Sequence, residues 1–386
     1  AQKLLTLEAV WDHEHQCPVI FEVWGQPFGG AASQLNYVRD PALMVAFGRQ
    51  FLHLLINHYS DDTWGVEPGH MADQAYTYWM ELNALVGWRM DLDKSPKPQY
   101  TFNLLGGQLF TGHNPPFGRL LPHKADALRD LIKWHRETEW MTGGQAATLR
   151  GKLGHARTWE GGRFGAASLR PIRERQDHGR YRVLNPSLKA ALLFWDTILS
   201  RPQGRPIILL VHHMPLHVTI SDGEGTGSVA VGWWKPRDAT WTPRVTQIEV
   251  PQQWRDAWQM EKTVDINEIE AVAPALALET WPELRAGMWI HFVDNSSAQC
   301  TLATGSSRTD HLALIAHWTW MEIKTRELLL WCDRVGTKDN PIDQYSRRNF
   351  KDLYGQHWIH DQPRLPDLAL SWCRALGSPQ PQSTPP

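Results

Sequence analysis

Four carboxylates in the second half of the chain, Asp222, Glu270, Asp294 and Asp343, sit where an acid is awkward unless it binds metal. Leu216, Val218 and Ile220 alternate along one side of a predicted strand, and the next residue in that phase is Asp222. Met288, Ile290 and Phe292 repeat the pattern and lead to Asp294. Each strand therefore ends by turning an acid toward its apolar side, where an unpaired charge costs several kcal/mol without a counter-ion. Glu270 shares a helical face with Ile266, Ala273 and Ala277, while Glu268 falls on the opposite, solvated face. Pro274 is expected to kink that helix. Asp343 lies in Asn340-Pro341-Ile342-Asp343-Gln344-Tyr345-Ser346-Arg347, after the last strand. Four such groups converging would hold two Mg²⁺ ions about 4 Å apart, or Mn²⁺ in their place, and support phosphodiester hydrolysis. Any one of these acids alone reads as a turn or cap residue; the weight lies in all four in this order.

A second series lies upstream: Gln26-Pro27-Phe28-Gly29-Gly30, then Tyr59-Ser60-Asp61-Asp62, then Lys94 on a Lys/Pro loop, then Asn103-Leu104-Leu105-Gly106-Gly107. The first is a turn of small residues opening a helix, where backbone can approach a ligand closely. The second puts adjacent acids at a hairpin tip, where water or metal must satisfy them; without context it is an ordinary acidic turn.

The elements that position these residues fall into three groups. Residues 1–110 alternate short strands with helices over Ala31–Leu55 and Met71–Val86. Residues 111–205 are helical over Pro122–Trp140 and Gln145–Trp159. Between 145 and 182 there are nine Lys/Arg against three acids, the one marked charge patch. Arg150, Lys152, Arg157 and Arg163 interleave with glycines there, as on a surface that tracks phosphates, which is favoured over the bland alternative of a solvated helical face. Residues 206–360 give three strands and then alternate helix and strand, a compact α/β unit with a mixed five-stranded sheet. Residues 361–386 form a tail whose Pro/Ser/Gln-rich end is expected to be disordered.

Hydrophobic content of 42% and 21% charged residues exclude wholesale disorder. A net charge of −2 means that any nucleic-acid surface is a local patch. The 21 tryptophans suit base stacking, but scattered Trp is more often core. Four dispersed cysteines fit a reducing compartment, and with no apolar run long enough to span a membrane the expected location is intracellular, cytoplasm or nucleus. Opening at Ala1, the chain reads as an excised segment of something longer.

Ile220-Ser221-Asp222-Gly223-Glu224-Gly225, Asn267-Glu268-Ile269-Glu270-Ala271, Phe292-Val293-Asp294-Asn295 and 340–347 resemble the motifs of retroelement ribonuclease H domains, over roughly 210–355. The upstream series, with Gly151-Lys152-Leu153-Gly154-His155-Ala156, resembles the palm and thumb of retroelement reverse transcriptases, DIRS-like elements included. The resemblance implies an α/β (α+β) chain: a partial polymerase palm, a helical thumb or connection, and an RNase H-like domain. It implies an enzyme, an RNA-directed DNA polymerase with RNase H, whose partners are RNA–DNA hybrid, RNA template with DNA primer, and the remainder of the polymerase. Asp222, Glu270, Asp294 and Asp343 would hold the nuclease metals. Asp61 and Asp62 would serve the polymerase site, with Lys94 protonating pyrophosphate. Phe28, Gly29, Tyr59, Leu105 and Gly106 would contact substrate. The family's first catalytic Asp has no counterpart here, since Asp12 sits in a predicted hairpin turn, so nucleotidyl transfer is expected to fail in this segment by itself. The rival is a non-catalytic nucleic-acid-binding scaffold from a decayed or host-captured element.

Overall fold

The structure is a computed structural model that describes residues 7–22, 31–60, 62–178, 182–200, 204–207, 213–259, 265–349 and 357–366. Its contacts divide into two units, 1–99 and 100–386.

In the first unit, β1 (Leu7–Asp12) and β2 (Cys17–Glu22) form an antiparallel hairpin. Helix α1 (Ala31–Leu52), hairpin β3 (Ile56–Tyr59) and β4 (Asp62–Gly65), and helix α2 (Ala72–Leu85) follow. Met44, Val45, Leu54, Ile56 and Trp79 make the small core of α1, β3 and α2.

The second unit opens with antiparallel β5 (Thr101–Leu104), β6 (Gly107–Phe110) and β7 (Phe117–Leu120). Four helices come next: α3 (Pro122–Thr138), α4 (Gly143–Glu160), α5 (Arg170–Asp177) and α6 (Pro186–Ser200). A Thr142–Gln145 capping box starts α4, satisfying two backbone N–H groups at its N-terminus. Strand β8 (Arg205–Pro206) returns to pair with β7. These helices share a core of Ile132, Met141, Leu149, Leu153, Ile172, Leu188 and Trp195.

The rest of the unit is built on β9 (Leu216–Gly223), β10 (Ser228–Trp234) and β11 (Arg244–Glu249), an antiparallel meander. Helices α7 (Gln252–Gln259) and α8 (Ile266–Thr280) lead to β12 (Gly287–Val293). Helices α9 (Ser296–Thr304) and α10 (Asp310–Thr325) lead to β13 (Leu328–Arg334), followed by the single turn α11 (Asp343–Ser346) and β14 (Ile359–His360). The sheet order is β13-β12-β9-β10-β11-β14, with β12 parallel to both β9 and β13. It has six strands where the sequence pattern predicts five, because a two-residue strand leaves no periodicity to read.

One face of this sheet packs under α8 through Val229, Val231, Trp233, Trp289 and Val293, with Ile269, Val272, Leu276 and Trp281. The other is covered by the chain after β13, where Ile342, Tyr345 and Trp358 pack on Ala230 and Val245. Several tryptophans serve as core: Trp195, Trp233, Trp281 and Trp289 are fully buried, while Trp11, Trp134 and Trp331 are exposed. Asp361, just past β14, accepts from Arg244 at 2.6 and 2.7 Å and from Trp281 Nε1 at 2.8 Å, which ties this end of the chain into the fold.

Two sequence expectations need correction. Glu268 is buried, not solvated, because it opens a run of α8 that is buried at every position through Leu278. The basic segment is not one patch. Arg175 is drawn inside to the carbonyls of Met141 (3.0 Å) and Val183 (2.6 Å), and Arg170 pairs with Glu174 and Asp310. Among the described residues, no helix is long and apolar enough to cross a membrane.

Candidate metal centre

Asp222 and Asp294 come from adjacent parallel strands, and Glu270 from the helix that crosses them. The two strands run in register with Ile220 beside Phe292, so the residues that follow, at the same sheet end, place Asp222 and Asp294 together. Their phase is the expected one: Leu216, Val218 and Ile220 alternate with His217, Thr219 and Ser221. The expected apolar side is only half-buried, however, and the fully buried positions of β9 are the polar ones. Two of these are paired internally: Thr219 Oγ1 accepts from Trp289 Nε1 at 2.8 Å and lies 2.7 Å from His291 Nδ1, and Ser221 Oγ lies 3.3 Å from His291 Nε2.

Glu270 reaches the strands because α8 passes close to β9. A Cβ at Gly223 would stand 3.0 Å from Ile269 Cγ2 and 3.2 Å from Glu270 Cδ, so a larger residue there would crowd both side chains. The result is a group in which Asp222, Glu270 and Asp294 each bring an oxygen within 4.8 Å of the others. Among the described residues no other group of His, Cys, Asp and Glu converges this way.

The surroundings hold these carboxylates in place. Asn340 Nδ2 donates to Asp222 Oδ1 at 3.1 Å and to the Ser221 carbonyl at 2.9 Å, and the Ser346 hydroxyl donates to Asp222 Oδ2. Thr337 Oγ1 donates to Asp294 Oδ2 at 3.0 Å. Asn295 caps α9 and donates to Asn267 Oδ1, fixing the chain on either side of Asp294 and Glu270. Asp343 stays outside the 4.8 Å group and instead accepts from Arg347. None of Asn340, Ser346, Thr337 and Arg347 is expected from sequence, although three lie in or beside the segment that contributes Asp343.

The electrostatics are those of a site short of positive charge. Burial, then repulsion from Asp294 and Asp222, pushes the Glu270 carboxyl up to about 9, with the Gly223 N–H opposing. Burial also raises Asp222 to about 6, the Ser346 hydroxyl and Arg347 opposing and Asp294 and Asp343 adding to the rise. Glu270 Oε2 is buried without a hydrogen-bond partner. An all-carboxylate donor set with an orphaned buried oxygen suits a hard divalent cation such as Mg²⁺ or Mn²⁺.

The upstream candidates are described only in part. Tyr59 pairs with Asp62 across a tight turn, and both are exposed. Asp61, Phe28 and Gly29 lie outside the described residues. Lys94, in a 3₁₀ turn, is exposed and pairs with Asp91 at 3.3 Å. Leu105 and Gly106 form the β5–β6 turn, both at positive φ, and the Leu105 carbonyl lies 2.8 Å from His155 Nε2. Lys152 and Arg163 are exposed, Arg150 and Arg157 half-buried, and burial lowers the Arg157 pKa.

No family model matches the chain, and no curated protein matches it. Among solved structures it is similar to the foamy viral protease-reverse transcriptase in three forms. With dsDNA, identity is 13% over 80% of this chain and 59% of that one, with a TM-score of 0.39. With RNA/DNA hybrid, it is 12% over 81% and 39%, with a TM-score of 0.43. The form designated dRH, also with dsDNA, gives 11% over 78% and 49%, with a TM-score of 0.38. The chain thus spans less than two thirds of the length of each, and at such scores no residue or role carries across.

Proposed function

We propose that residues 206–360 form a metal-dependent nuclease that cleaves the RNA strand of an RNA–DNA hybrid. The chain is read as part of a retroelement reverse transcriptase, with residues 1–110 from its palm and 111–205 from its thumb or connection. The observation that carries this reading is the convergence of Asp222, Glu270 and Asp294 from two parallel strands and the crossing helix. The sequence resemblance to retroelement RNase H motifs supplies the substrate class.

Asp222, Glu270 and Asp294 would hold the divalent ions, with Asp343 as the fourth carboxylate. When bound, such ions acidify an attacking water and stabilise the leaving 3′-oxygen. The chain's own residues prepare for that. Asn340 and Ser346 occupy lone pairs on both Asp222 oxygens and so fix the plane of its carboxylate. Thr337 does the same for one oxygen of Asp294. Burial of Glu270 against Gly223 keeps bulk water from screening the group. Arg150, Lys152, Arg157 and Arg163, with the Leu105–Gly106 turn, are the proposed backbone-tracking contacts.

The test is a comparison of labelled RNA–DNA hybrid, double-stranded RNA and double-stranded DNA in Mg²⁺. Cutting of the hybrid's RNA strand alone supports the proposal. Binding of the hybrid without cutting favours the non-catalytic scaffold.

A further inference from the structure

Asp343 is the one of the four expected carboxylates that stays outside the converging group. Its Oδ1 accepts from Arg347 Nε at 3.1 Å and from Nη2 at 2.9 Å, one helical turn later. The backbone that carries Asp343 is nevertheless anchored beside the group. Ile342 and Tyr345 are fully buried against the sheet, and Ser346 bonds to Asp222. The Ser346 hydroxyl that reaches Asp222 also lies 2.8 Å from the Asp343 carbonyl, so the turn that carries Asp343 and Arg347 stands beside Asp222. Arg347 is open to solvent, its side chain 60% exposed.

We propose that Arg347 is a latch that holds Asp343 off the metal-binding group until an anionic phosphodiester takes the guanidinium and frees Asp343 as the fourth ligand. This rests on the metal-binding reading above. The exchange costs little, because an ion pair whose guanidinium is open to solvent is weak. It is also selective, because a guanidinium pairs with phosphate through two parallel N–H donors. Arg347 is thus a positioning residue for Asp343. The latch would couple substrate arrival to completion of the metal site, so that the fourth carboxylate joins when there is a backbone to cut.

The test is a Mg²⁺ titration of the whole chain without nucleic acid, read as the shift in thermal midpoint. Arg347→Gln should tighten Mg²⁺ binding about tenfold, the scale on which residues around metal ligands act. Asp343→Asn alone should leave the affinity close to wild type, and the double variant should lose the gain. A gain that survives Asp343→Asn would mean that Arg347 acts only through its charge, and no gain would mean that Asp343 is not restrained; either overturns the latch. A hybrid with an uncleavable 2′-O-methyl RNA strand should tighten Mg²⁺ in wild type and not in Arg347→Gln. Should wild type bind no hybrid at all, the nuclease reading fails, while the double-variant comparison still decides the latch.

Discussion

Asn340 Nδ2 lies 3.1 Å from Asp222 Oδ1 across 118 positions of sequence, and the same nitrogen reaches the Ser221 carbonyl. One buried amide therefore sets both the carboxylate and the strand that carries it. Asn340→Ala should weaken Mg²⁺ binding by about 10–100-fold, the usual cost of losing such a support. Isothermal titration of the purified chain measures this, with circular dichroism to check that the fold is kept. An unchanged affinity would mean that Asp222 orients without Asn340.

Without metal, the clustered acids should destabilise the fold as pH rises. Glu270 is raised from its ordinary value to about 9 and Asp222 to about 6. Groups raised in the folded state stabilise fully below their unfolded pKa, and that contribution is lost as pH climbs through the folded one. Metal-free protein should thus lose stability between about pH 4.5 and 9, by up to about 1.4 kcal/mol per pH unit for each such group. Glu270→Gln should raise the thermal midpoint of metal-free protein at pH 8 and abolish the gain from added Mg²⁺. A lower midpoint in the variant would contradict the electrostatic account.

His291 contributes to the loss of stability in acid. It is fully buried beside Thr219, and burial lowers its pKa to about 3. A His kept neutral in the fold and protonated when unfolded costs stability as pH falls below about 6.5. Its ring nitrogen shifts in NMR should remain those of neutral imidazole at pH 5. A ring that titrates near the ordinary value would show that water reaches the underside of the site.

Asp361 clamps the last described segment to the sheet through Arg244 and Trp281. Asp361→Ala takes the acceptor from Trp281 Nε1 and from Arg244 Nε and Nη2, leaving Arg244 its pair with Glu283, and should cost about 1–3 kcal/mol. A denaturant midpoint shift reads this, and a shift equivalent to less than about 0.5 kcal/mol would mean that the clamp is ornamental.

The convergence of Asp222, Glu270 and Asp294 is legible in the sequence because strand periodicity is local. The phases of β9 and β12 place Asp222 and Asp294 at one sheet end, and the wheel of α8 turns Glu270 toward the strands. Glu268 was misread because a helix buried on every side has no polar face for a wheel to find. Helix α6 escaped notice for a related reason: Ala190, Ala191 and Leu192 are buried at consecutive positions, which blurs the helical period. The partners of the carboxylates were invisible, since Asn340 and Ser346 reach Asp222 from more than a hundred residues away. The basic segment misled because charge counting cannot see Arg175 turn inward to two carbonyls.

The most direct measurement is cleavage of a labelled RNA–DNA hybrid in Mg²⁺ by wild type beside Asp294→Asn, which removes one of the three converging carboxylates. The account predicts that wild type cuts the RNA strand and that the variant binds the hybrid but cuts at least about a hundredfold more slowly. Equal cutting by both, or hybrid bound by both and cut by neither, would contradict it.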